Sequence, residues 1–117
     1  MNVSDFLKKI FFAAGLIFCC CSPSILLPTT ADTAAANKRW AEADSVSLYH
    51  GYQLYVNKCG SCHTLHRPSK FTEDKWKKEV PEMGAKAHLT PAECEMILRY
   101  VLTRREVMLA QKNTAGG

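Results

Sequence analysis

Apolar positions in this chain form one unbroken run and three periodic stretches. The run covers residues 10–21 (IFFAAGLIFCCC), carries no charge and is closed by Ser22-Pro23. The stretches lie at about 45–58, 72–80 and 91–108. In the first, Val46, Tyr49, Tyr52 or Gln53 and Val56 recur at helical spacing, and Leu48, Gly51, Tyr52 and Tyr55 make an overlapping second stripe. Ser45 after Asp44 supplies an N-cap. In the second, Thr72 can cap, Glu73 and Asp74 suit the positive end of a helix dipole, and Pro81 is expected to end the helix at Val80. The third opens on Thr90-Pro91-Ala92-Glu93, a capping box with proline at the first helical position, and its apolar face holds Ile97, Tyr100, Val101 and Leu102. No stretch alternates with turn signals on both sides. The fold class is therefore all-α, a small bundle of about three helices.

The intervening segments are polar. Residues 28–44 (PTTADTAAANKRWAEAD) are rich in Ala and Thr and suggest a linker, and residues 109–117, ending NTAGG, a flexible tail. Lys8 and Lys9 before the apolar run make residues 1–31 a signal peptide or N-terminal membrane anchor, followed by a linker at 32–44 and a domain at 45–108. Small residues for cleavage stand at Thr29-Thr30-Ala31 and at Ala34-Ala35-Ala36. With Ile25, Leu26 and Leu27 added, the run approaches spanning length, so an uncleaved anchor stays open. Cys19, Cys20 and Cys21 admit lipidation, although Phe18 rather than a small residue precedes them; they also suit the apolar run simply as small apolar side chains. An exported, periplasmic location follows, tethered to a membrane or free.

The chain has 117 residues, room for one domain. Without residues 1–31, thirteen Lys/Arg face ten Asp/Glu, interspersed rather than clustered. No basic stripe with interleaved aromatics points to nucleic acid. The charge supports no more than weak electrostatic docking to a protein partner. Outside the apolar run three cysteines remain, Cys59, Cys62 and Cys94, an odd set that argues against a disulfide framework.

Cys59-Gly60-Ser61-Cys62-His63 is a C-x-x-C-H sequence, the attachment motif of c-type haem. Two thiols one helical turn apart can reach two vinyl groups on one porphyrin edge, and the next residue brings an imidazole to the iron. The second ring nitrogen of His63 then needs an acceptor, for which the carbonyl of Pro68 or a neighbour is a candidate. A domain of roughly 65 residues is marginal without a staple, and a haem would supply the missing core. Two other uses of the cysteines compete. A thioredoxin-like dithiol belongs at a strand-to-helix junction. A zinc site wants a second ligand pair, for which Cys94 with His88 or His66 is a poor substitute.

Around the motif the chain resembles a class I cytochrome c. Members carry a glycine and an aromatic residue on the helix before the motif, crossing an apolar and an aromatic residue on the last helix. Gly51 and Tyr55 stand eight and four residues before Cys59, and Ile97 and Tyr100 stand three apart on the third stretch. The resemblance covers about residues 45–105, with a shorter loop after His63 than in mitochondrial-type members and a proline-rich region reduced to Pro68. It implies one covalent haem c held by Cys59 and Cys62, with Trp76 and Tyr55 in contact with it. It also implies a methionine as the second axial ligand. Met83 stands in the right segment, on an irregular turn if Pro81 breaks the helix. His88 is an alternative, as is an open site. Met96 reads as core, Met108 as near a frayed end, His50 as solvent-facing, and Cys94 as a buried structural thiol. The expected function is single-electron transfer, not enzymatic catalysis, with no small-molecule substrate evident. A haem enzyme subunit or gas sensor with an open sixth position is the alternative.

Overall fold

The computed structural model describes residues 25–117. The expectations for Lys8, Lys9, the apolar run and the cysteines at 19, 20 and 21 lie outside them. Among the described residues the regular structure is entirely helical, as the periodicity implies, with four α-helices rather than three. They are α1 (Thr30–Arg39), α2 (Ser45–Leu54), α3 (Glu73–Lys86) and α4 (Pro91–Ala115). A π-helical turn, Tyr55–Cys59, continues α2, and a 3-10 turn covers Pro68–Lys70. No helix among the described residues is long and apolar enough to cross a membrane.

The additional helix is α1, which occupies most of the segment expected to be a linker. It starts at a capping box: the Asp32 carboxylate accepts from the Thr29 amide at 2.7 Å and from the Thr29 hydroxyl at 2.6 Å. Its body is largely alanine, which favours helix but leaves no large apolar stripe to reveal it. Ala36 is wholly buried in a small cluster with Ala43, Leu48 and Trp40. Trp40 is itself flanked by two guanidinium groups, Arg39 at 4.8 Å and Arg99 at 5.2 Å from the ring centre.

The cap of α2 is Asp44, not Ser45; its carboxylate accepts from the Ser47 amide at 2.7 Å. Of the two stripes on this helix, the second faces inward. Leu48 and Tyr55 are buried, whereas Val46 and Tyr49 are 60 % and 44 % exposed. Gly51 decides the rotation. A Cβ there would collide with the Met96 carbonyl oxygen and lie 2.8 Å from the Tyr100 Cβ, so α2 and α4 touch backbone to backbone. Tyr55, Tyr100, Ile97 and Trp76, each 1 % exposed, pack around this crossing. Tyr55 lies 5.8 Å from Tyr100 and 6.1 Å edge-on from Trp76. Burying each of these side chains favours folding by about 1.5–3 kcal/mol.

Helix α3 does not stop at Val80. It runs through Pro81 to Lys86. Proline forfeits one backbone bond, but Trp76, Val80 and Gly84 form a buried face that the continued helix keeps against α4. The helix ends in a Schellman closure: Leu89 donates to the Gly84 carbonyl at 2.9 Å and His88 to the Ala85 carbonyl at 3.3 Å. His88 takes the left-handed position with φ of 57°, where glycine is usual. Helix α4 begins as its capping box predicts, with Glu93 donating to the Thr90 hydroxyl at 3.2 Å and accepting from the Thr90 amide at 2.8 Å. It extends past residue 108 to Ala115, because no helix breaker precedes Gly116; within the segment expected to be a flexible tail, residues 109–115 are helical and Gly116 and Gly117 follow the helix.

Candidate functional site

The π turn ending at Cys59 sets the geometry of the motif. Wider than an α turn, it keeps both Tyr55 and Cys59 on the inward side. Cys59 is buried, and Cys62 and His63, on the turn that follows, are exposed. The Tyr55 hydroxyl donates to the His66 carbonyl at 2.6 Å, tying the loop after the motif back to the helix before it. Burial pushes the Tyr55 phenol up to about 12, with the neighbouring Cys59 adding to it and the His66 hydrogen bond opposing. Burial also pushes the Cys59 thiol up, helped by Cys94 and Cys62. Both groups are therefore neutral at ordinary pH.

In front of the motif lies a cleft of about 410 Å³, within the range of small-molecule and cofactor sites. Cys59, Cys62 and His63 line it from one segment, Phe71 from the loop that leads into α3, and Glu79 and Met83 from α3 itself. Met83 reaches it because Pro81 leaves α3 intact. Lys75, Glu79, Met83 and Lys86 follow one another at helical spacing along the cleft wall, one strip over from the buried Trp76–Val80–Gly84 face. Lys58, Lys75 and Lys86 bring three positive charges to the rim.

His63 is oriented locally. Its Nδ1–H donates to the Thr64 carbonyl at 2.9 Å, which leaves Nε2 with a free lone pair. The Pro68 carbonyl, one candidate for this, accepts from the Trp76 indole at 2.8 Å. Trp76 and Tyr55 stand behind the cleft wall in the core and do not line it. His66 does line it. Its ring stacks on His63 at 5.5 Å and meets Phe71 edge-on at 5.1 Å. Burial and the charges of Lys70, His63 and Lys75 push its pKa down. In the sequence His66 figures only as a poor zinc partner for Cys94; the fold of the loop brings it to the cleft.

The other sequence candidates fall elsewhere. His88 caps α3 and is not part of the cleft, and His50 is exposed on α2. Met96 is 40 % exposed rather than core, because the α2–α4 contact uses its backbone; Met108 is buried rather than frayed. Cys94 is half-buried and packs tightly against Gly84. Among the described residues no three His, Cys, Asp or Glu side chains gather as a metal-holding group, so Cys94 does not complete a zinc site with His66 or His88. The helix before Cys59 likewise differs from the strand a dithiol oxidoreductase would place there.

The chain was compared with family models, curated proteins and solved structures, and none matches.

Proposed function

We propose that this protein is an exported c-type cytochrome that carries single electrons, with one haem c bound through Cys59 and Cys62 and its iron ligated by His63 and Met83. The observation that carries this reading is that four side chains from two separate parts of the chain line one cleft: two thiols, an imidazole with a free Nε2, and a thioether. The donor set suits the group. Thiols at C-x-x-C-H spacing would hold the group covalently, and an imidazole with a thioether would ligate its iron. Phe71 offers an apolar wall, and Lys58, Lys75 and Lys86 offer cations for carboxylates at the rim. When bound, haem c supplies a one-electron iron couple.

The chain's own part is to hold and shield. The Thr64 carbonyl fixes the His63 ring and makes Nε2 the better donor. The helix through Pro81 holds Met83 on the cleft wall instead of leaving it on a loose turn, and this would fix the thioether toward the iron. The fold is then cytochrome c-like, with the Gly51 crossing as its frame and redox proteins as its partners.

A haem stain on a denaturing gel, after production alongside cytochrome maturation machinery, tests the first half. Covalent stain is expected from the native chain and none after Cys59→Ser and Cys62→Ser together. An unstained native chain would remove the reading. For the second half, Met83→Ala should abolish the sulfur–iron absorption of the oxidised protein and open the iron to carbon monoxide. Rapid carbon monoxide binding by the native ferrous protein would favour the open-site alternative, an enzyme subunit or gas sensor.

A further inference from the structure

Residues 25–39 span both positions at which a leader could be cut, and the fold uses them. Asp32 and Arg104 form an ion pair at 2.9 Å with side chains only 1 % and 7 % exposed. The same guanidinium donates to the Ile25 carbonyl from Nε at 3.1 Å and from a terminal nitrogen at 3.0 Å. The Tyr100 hydroxyl donates to the Leu26 carbonyl. Cleavage after Ala36 would remove Asp32, both carbonyls and the Ala36 packing, and would leave a buried arginine without its anion. Cleavage after Ala31 would spare Asp32 but would remove the Thr29 cap and both carbonyls held by Tyr100 and Arg104.

The side chains of the clamped segment point the other way. Ile25 and Leu27 are 44 % and 41 % exposed on either side of Leu26. Tyr49, 44 % exposed, shares a groove with Pro28 and Thr29, and Val46 stands one turn away on α2. Four of the five exposed large hydrophobic residues among the described ones thus belong to the clamped segment and the adjoining start of α2. The apolar run ends at Cys21, so only Ser22, Pro23 and Ser24 separate it from Ile25, and the four Cα steps reach about 14 Å at most. A tether at 32–44 would have reached roughly 45 Å.

From the clamp and the apolar face beside it we infer that the mature protein keeps residues 25–39 as part of the domain and that the residues before Ile25 seat this face directly on a lipid bilayer surface, with no swinging linker. The inference rests on the exported reading and not on the haem. It limits the cleft to partners that are themselves at the membrane.

The test uses the full chain, produced with export and cytochrome maturation. Intact mass of the purified protein should show a chain that retains Ile25 and everything after it, recovered from the membrane fraction; a haem would add a fixed increment and leave this assignment readable. A soluble protein beginning at residue 32 or 37 would overturn the inference, as would a soluble chain retaining Met1. The second measurement treats spheroplasts with a broad-specificity protease. The native domain should stay with the membrane, and a variant with ten Gly/Ser residues inserted between Ser24 and Ile25 should be released as an intact domain at least tenfold faster. Equal release from both would show that the native spacer is already accessible and would sink the direct seating. Loss of haem stain with the expected mass and protease pattern would defeat the electron-carrier reading alone.

Discussion

The clamp on Arg104 and the cleft at Cys59 treat polar groups in opposite ways. At the clamp, Asp32 and Arg104 are buried, paired to each other and bonded to backbone on both sides. At the cleft, Cys62 and His63 are exposed, and the His63 Nε2 has no hydrogen-bond partner among the described residues. A buried pair is costly to break because each charge is then left desolvated. Exposed donors add nothing to the folding of the bare chain, and their concentration around one cleft makes sense for a bound group. The clamp keeps the chain together, and on the proposed function the cleft takes a group that the chain does not itself provide.

Four substitutions can break or sharpen that contrast. The largest effect is expected from Arg104→Ala, which should cost about 3–5 kcal/mol in denaturant unfolding because Asp32 stays buried without its cation; a loss below 1 kcal/mol would mean that the segment from Ile25 to Asp32 is not held as described. Next, His88→Gly should raise stability by about 1 kcal/mol, since glycine takes the left-handed position without the Cβ penalty and the exposed imidazole gives up no packing. On the proposed function, the same variant should leave the absorption spectrum of the haem-loaded protein unchanged, which would separate His88 from the iron.

A smaller effect links α1 to α3. Glu73 is held down to about 2 by hydrogen bonds from Lys77 and Arg39. Its folded value lies below the unfolded one, so its contribution is present above pH 4.5 and is lost as pH falls toward about 2. The pair is partly exposed and solvent-screened, so Glu73→Gln should cost no more than about 1 kcal/mol at pH 7. Thermal unfolding across that window should show native and variant converging in acid and in high salt. The smallest effect belongs to the cleft: in the haem-free chain, Cys62→Ser should shift unfolding by no more than about 0.5 kcal/mol. A large loss there would make Cys62 a structural residue and weaken its assignment to a ligand.

Much of this was legible in the residues themselves. The caps at Thr72 and Thr90 and the capping box with Glu93 are local, so their helices start where the sequence says. Pentapeptide spacing alone singled out Cys59, Cys62 and His63. The crossing of Gly51 and Tyr55 with Ile97 and Tyr100 was an expectation taken from the resemblance, and the structure has it because so close an approach needs a residue without a side chain. Three things needed the tertiary structure. Helix α1 has no large apolar stripe, and its stability comes from Ala36 against Leu48 and from Arg104, 72 positions away in the chain. The path of α3 through Pro81 depends on what Trp76, Val80 and Gly84 gain against α4, a term absent from any local rule about proline. The placement of Met83 on the cleft wall follows from that path. Local chemistry set the motif and the helix starts, whose interactions span a few residues; long-range packing decided where the helices continue and which side chains face the cleft.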